Sequence, residues 1–340
     1  MPNKAHPWID YTDEQLLQVR LKDLHVGLAR TWLMPCIRDL QRELDERRLR
    51  IRPHFWISDE WFSPSNTPGI AVPFYLAHPR LMRLERKMII DVEGGTVADC
   101  MRILRHEAGH VLQHSFHLHR RRRWQELFGH STQKYPDFYR PNPASKRYVQ
   151  HLRLWYAQSH PDEDFAETFA VWLSKPWRKR YADWPQALEK LEYVDELMGE
   201  LAGEAPSLTR VLEVDPIGRL KQTLGEHYRK KRAHYATEPS RAYDKDLLRL
   251  FASDAGQRGR PAAAFIRRYR RGLRSLVSRG TGEYQLTLDS VLDDMIARCR
   301  ELKLRAVGSE KQLLAAFTVM LTAQVVHSVY NPQRRMWLAV

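Results

Sequence analysis

His106-Glu107-Ala108-Gly109-His110 sets two imidazoles four residues apart with an acid beside the first. The surrounding stretch, Thr96 to Phe116, reads as a helix, and on a helix positions i and i+4 share a face. Two imidazoles so placed can grip one metal ion while Glu107 stands next to it. The chemistry this supports is peptide hydrolysis by a metal-activated water, with Glu107 as general base. A chain with 15 His can also carry the pattern on an ordinary, partly exposed helix. A third ligand decides between the two.

Three and six residues after His110 stand Gln113 and Phe116 rather than the Gly and His of a metzincin. Val111 to Phe128 contains no Asp that could serve from a nearby turn. His114 continues the His106/His110 face, but one straight helix cannot wrap three successive turns around a tetrahedral ion. It is expected to be a solvated or packing residue. The better candidate lies in Ser159-His160-Pro161-Asp162-Glu163-Asp164-Phe165-Ala166-Glu167-Thr168-Phe169-Ala170. Ser159 or His160 followed by Pro161 and a run of acids is a helix start. Phe165, Phe169 and Trp172 form a core-facing stripe, which leaves Glu163 and Glu167, four apart, on another face. Two acids there repel unless a positive group lies beside them, and a zinc ion with its histidines would supply one. Glu163 is then the third ligand. Glu167 accepts from the far nitrogen of a ligating His and fixes its tautomer. Taken alone, both acids read first as surface groups that complement the helix dipole; the ligand reading comes from their occurrence together with H-E-x-x-H. Tyr156, seven residues before Glu163, either packs in the core with Trp155 or donates a hydrogen bond to the oxyanion of peptide cleavage.

Together H-E-A-G-H and Y-A-Q-S-H-P-D-E-D-F-A-E-T-F-A, within Met101 to Leu173, resemble the gluzincin metallopeptidases. More narrowly they are similar to zinc-binding metallopeptidases of bacteria and, more distantly, to the lethal-factor-type toxin proteases. The resemblance implies Zn²⁺ held by His106, His110 and Glu163, with Glu107 as base, Tyr156 assisting catalysis, and Glu167 supporting a ligand from behind. One departure stands out: four residues after the third ligand, thermolysin-type enzymes carry Asp, and this chain carries Glu167. The resemblance gives no substrate beyond a peptide or protein.

These residues need elements to position them. Asp13 to Arg48 reads as helix broken near Pro35. Arg50 to Ser58 has the aromatic and β-branched content of a strand, Ile70 to Leu76 is a second, and Lys87 to Asp91 is a third. One of these strands is expected to present a sheet edge on which an extended peptide could lie above the metal. Gly129 to Ser145 is a proline-containing loop expected to form part of the cleft wall. Trp184 to Leu201 reads as amphipathic helix. Beyond it come helical candidates at Ile217 to Ala236, Tyr243 to Phe251, Ala262 to Ser278, Leu288 to Leu304 and Glu310 to Tyr330. The expected fold class is α+β: a zincin-like catalytic domain over 1–205, with a small sheet and metal-binding helices, then a mostly α-helical domain over 206–340.

Charge supports that division. Residues 206–340 hold 25 Lys and Arg against 13 Asp and Glu, whereas residues 1–205 are nearly balanced at 30 against 28. Basic runs at 120–123, 229–232 and 267–271 are either solvated faces or a patch for an acidic partner such as nucleic acid. The alternative function is therefore a nucleic-acid-binding protein that works through its basic helices and carries a structural or vestigial metal site. No helix-turn-helix or zinc-finger spacing supports it. His227, His234 and Tyr235 are further hydrogen-bond donors that the C-terminal part could lend to the site. The 340 residues, 43% of them hydrophobic, with 10 Trp, 14 Tyr and 11 Phe, suit a folded protein and exclude a disordered one. Met1 to Thr12 lacks the pattern of a signal peptide. Leu313 to Tyr330, interrupted by Thr318, Thr322, Gln324, His327 and Ser328, reads as a buried helix rather than a membrane span. Cys36, Cys100 and Cys299 are scattered and without metal spacing, as expected of core thiols in a reducing cytoplasm.

Overall fold

The computed structural model describes residues 6–136, 139–174, 176–235, 243–253 and 259–330. It divides into two units: residues 6–88 with 92–229, and residues 89–91 with 230–330 among those described. The first unit runs through α1 (Asp13–Leu17), α2 (Leu33–Glu46), β1 (His54–Ser58), β2 (Gly69–Pro73), α3 (Pro79–Ile89), α4 (Val97–Ser115), α5 (Arg122–Phe128), α6 (Pro161–Leu173), α7 (Trp177–Arg180) and α8 (Pro185–Leu201).

The helix expected to break at Pro35 breaks earlier, between Leu17 and Leu33. His25 and Arg30 take left-handed backbone conformations there. Pro35 instead sits in the first turn of α2, where no intrahelical donor is lost. β1 and β2 pair in parallel, His54 opposite Gly69 through Ser58 opposite Pro73. Every residue of β2 is buried, as a strand covered on both faces should be. Phe62 bridges Ala71 in antiparallel sense, so β2 lies between β1 and the segment that leads to Ser63. The third strand expected at Lys87 to Asp91 is instead the end of α3. Leu81, Leu84, Glu85 and Ile89 are the buried positions, and their spacing is helical. The β-branched pair Ile89-Ile90 imitated a strand, but Ile90 turns left-handed and ends the helix.

Thr96 caps α4 by accepting from the Asp99 amide. His160, in extended conformation, caps α6 by accepting from the Asp162 amide through Nδ1, with Pro161 at the first helical position. The two helices then pack closely, and Gly109 is the reason they can. A Cβ at position 109 would sit 2.8 Å from Ala166 Cα and 3.2 Å from its carbonyl oxygen. Asp162 to Leu173 is buried throughout, acids included. Phe165 packs on Trp124 and Phe128 of α5, and Lys190 of α8 meets Asp164 at 2.5 Å. After α8 the chain returns over the same unit: Ser207 donates to the Ser115 carbonyl, Trp56 Nε1 donates to Val214 O and Ser58 donates to Asp215 O.

The division between units falls within α9 (Leu224–Tyr235). The second unit continues through α10 (Asp244–Leu250), β3 (Arg260–Pro261), α11 (Ala262–Thr281), α12 (Gln285–Glu301), β4 (Arg305–Ala306) and α13 (Glu310–Tyr330), with β3 and β4 antiparallel. Its core gathers Phe251, Phe265, Leu292, Met295, Phe317 and Leu321. The 267–271 run is only partly a solvated face. Arg270 bridges Asp289 and Asp293, Arg268 pairs with Glu310, and Arg267 and Arg271 stay exposed. The helix expected to be buried, α13, buries only one side: Phe317, Met320, Leu321 and Val325 face inward while Val319 is 70% exposed. Among the described residues, no helix is long and apolar enough to cross a membrane. Among the described residues the chain is mostly helical with two small sheets, consistent with the α+β class. All three cysteines are free and buried.

Candidate metal centre

One turn apart on α4, the His106 and His110 rings stand with centroids 4.8 Å apart. Glu163, in the first turn of α6, reaches both. Its Oε2 lies 3.0 Å from His106 Nε2 and 3.2 Å from His110 Nε2, and the two Nε2 atoms are 3.1 Å apart. Among the described residues this is the group of three His, Cys, Asp or Glu side chains that could hold a metal ion. Those separations are short enough for all three atoms to reach one ion at about 2.0 Å, the distance zinc keeps from nitrogen and carboxylate oxygen. The donor set is also right: two imidazoles and a carboxylate leave one tetrahedral corner open. All three residues are buried, so three lone-pair-bearing atoms crowd one water-poor point. Without a cation, only protons on the imidazoles can relieve that crowding.

The electrostatics agree. Burial opposes charge on His106, yet Glu163 and Glu167 outweigh it and hold its pKa well above the ordinary value. Burial likewise opposes charge on His110, and Glu163 overcomes it, so this pKa also rises. Burial would raise the Glu163 pKa, but His110 and His106 hold it well below the usual carboxylate range. A site that draws positive charge this strongly is one a divalent ion can occupy in place of the protons.

Glu167 stands behind the first imidazole. Its Oε1 is 2.9 Å from His106 Nδ1, and its Oε2 accepts from the Leu152 amide at 2.8 Å. With the Nδ1 proton shared toward Glu167, the Nε2 lone pair of His106 points at Glu163 and His110. Glu107, also buried, accepts from Ser63 Oγ at 2.8 Å through Oε2. Ser63 follows Phe62, the residue bridged to β2. The Tyr156 ring centroid lies 5.7 Å from that of His106. Burial, and then the charge of Glu163, push its phenol far above the ordinary pKa, so it remains a donor. Tyr156 follows Leu154 and Trp155, both at left-handed φ of 57° and 54°. Two such residues in a row are strained unless their surroundings hold them there. Tyr139 does so in part, donating to the Leu154 carbonyl at 2.8 Å.

The structure therefore brings His106, His110, Glu163, Glu167 and Tyr156 together, with Glu107 next to His106 on the same helix. His114 stays outside the group. Its ring faces His119 at 6.1 Å, and burial pushes its pKa down to about 3, so it remains neutral. Of the donors considered from the C-terminal part, His227 packs on Phe74 and Tyr228, Tyr235 meets Tyr284, and the His234 side chain lies outside the described residues. Sequence reasoning missed two partners. Ser63 reaches Glu107, and Tyr135 donates to Glu163 Oε1 at 2.8 Å. Both sit in irregular segments, where no periodicity signals which way a side chain points.

Residues 100–175 match the sequence model of a family described as "Putative zinc-binding metallo-peptidase". The matched span includes α4 from Cys100 onward, the whole of α6 and the Tyr156 segment between them. No curated protein and no solved structure matches the chain.

Proposed function

From a metallopeptidase-family match that covers the candidate centre, we propose that this chain is a monozinc peptidase of the gluzincin type, with a zincin-like fold in its first unit. One observation carries the reading: His106 Nε2, His110 Nε2 and Glu163 Oε2 lie within 3.0–3.2 Å of one another, and all three residues are buried. When bound there, zinc lowers the pKa of a coordinated water toward about 7 and polarises the scissile carbonyl.

The chain's own residues do the rest. Glu107 takes the proton from the attacking water and passes it to the leaving amine. Ser63 holds one oxygen of Glu107, which orients the other for that transfer. Tyr156 donates to the oxyanion, aided by a phenol that burial keeps protonated. Glu167 keeps His106 in one tautomer. The segment through Phe62 and Ser63 brings strand-like backbone up to Glu107. An extended peptide could add there as a further strand. Three buried thiols, none of them in a disulfide, support a reducing compartment, the cytoplasm, as the place of action.

Glu107→Gln is the direct test of mechanism. The variant should retain one zinc per chain and lose peptide cleavage by about 10²–10⁴-fold or more, the contribution of a positioned general base. Cleavage at the parent rate by this variant, with zinc bound, would remove Glu107 from the chemistry.

A further inference from the structure

Glu163 offers its two oxygens to different partners. Oε2 faces both imidazoles, while Oε1 accepts from the Tyr135 hydroxyl at 2.8 Å. Tyr135 is itself held in place. Its ring stacks on His160 with centroids 3.7 Å apart and planes within 12°. His160 is pinned at both ends: Nδ1 accepts from the Asp162 amide at 3.2 Å, which leaves the ring proton on Nε2, 2.9 Å from the Gln133 carbonyl. Residues 133–135 thus fasten to the N-terminal turn of α6 at three places: the Gln133 carbonyl on His160, the Tyr135 ring on the same imidazole, and the Tyr135 hydroxyl on Glu163.

A carboxylate can hold a metal through one oxygen or two. Two would occupy the corner that a reacting water needs. A donor fixed on Oε1 disfavours the second mode and aims Oε2 at the imidazoles before any ion arrives.

We infer that Tyr135, carried on the His160 ring, is a positioning residue that restricts Glu163 to one-oxygen ligation and keeps the fourth metal corner open. This rests on the zinc-site reading above. Tyr135→Phe keeps the stacked ring and removes only the donor. In the full chain, zinc affinity measured by competition with a chromophoric chelator should fall about 10–100-fold, as for other groups that orient a ligand from behind. The visible spectrum of the Co²⁺-substituted variant should shift from a four-coordinate toward a five-coordinate form, while thermal unfolding of the metal-free protein stays where it was. His160→Ser, which preserves a helix cap but removes the platform, should weaken zinc binding in the same direction by less. Parent-like zinc affinity or a parent-like Co²⁺ spectrum in Tyr135→Phe overturns the inference and leaves the peptidase reading standing. So does an affinity loss matched by an equal loss of metal-free stability, since packing would then be the cause. Failure of the parent chain to bind zinc at all overturns both.

Discussion

At the scale of single residues, the centre is a contest between burial and charge. Burial favours neutral His106 and His110 and a protonated Glu163, yet the carboxylates raise both imidazole pKa values and the imidazoles lower that of Glu163. The sign of the resulting pH dependence follows from linkage. The raised histidines stabilise the metal-free fold fully below their ordinary value of 6.5 and lose that contribution as pH rises through their folded values. The lowered Glu163 contributes above its ordinary value of 4.5 and loses it as pH falls through its folded value. The metal-free site is therefore most stabilising between those two ordinary values. Zinc needs both imidazoles unprotonated, so its affinity climbs with pH. Unfolding midpoints of metal-free and zinc-loaded protein, followed from about pH 5 to about pH 8, should move apart as pH rises; a constant gap would contradict this account. His106, His110, Glu163 and Glu167 were legible in the sequence because helical spacing states which side chains share a face, and Glu107 because it is the acid beside the first histidine of the motif. Ser63 and Tyr135 were not, because each reaches the site from a loop whose course is set by contacts distant in the chain.

At the scale of elements, two helices must come within backbone contact for Glu163 to meet the imidazoles, and Gly109 permits it. In an exposed helix, Gly→Ala gains about 1 kcal/mol. Here the added methyl would meet Ala166 Cα at 2.8 Å, and overpacking of that kind costs about 1–3 kcal/mol. Gly109→Ala is thus expected to lower the thermal midpoint and weaken zinc binding together, because pushing α6 away carries Glu163 with it. A variant as stable and as tightly zinc-bound as the parent would show that the contact does not set the ligand geometry. The start signal at His160-Pro161 made α6 readable, and the stretch read as helical from Thr96 coincides with α4, which Thr96 caps. The same reasoning failed at Lys87 to Asp91. Two adjacent isoleucines suggested a strand there, while the burial of Leu81, Leu84 and Ile89 made the segment the last turns of α3.

Over the whole molecule, charge and contact change at different places. The excess of Lys and Arg begins after residue 205. Residues 207–215 nevertheless bond to Ser115, Thr67, Trp56 and Ser58 of the first unit, and the contact division falls between Arg229 and Lys230. Composition records what solvent and partners meet; it does not record which backbone a returning chain lies against. Part of the basic excess is consumed inside the second unit, where Arg270, Arg274 and Arg298 are tied to Asp289, Asp293 and Asp244. The catalytic proposal, by contrast, draws only on first-unit residues, and all of it converges on one point in space. A crystal structure of the zinc-loaded chain, with the ion located by its anomalous scattering, tests that most directly. The account predicts one ion about 2.0–2.2 Å from His106 Nε2, His110 Nε2 and Glu163 Oε2, with its open corner toward Glu107. An ion bound elsewhere, or one whose third protein ligand is not Glu163, would contradict it.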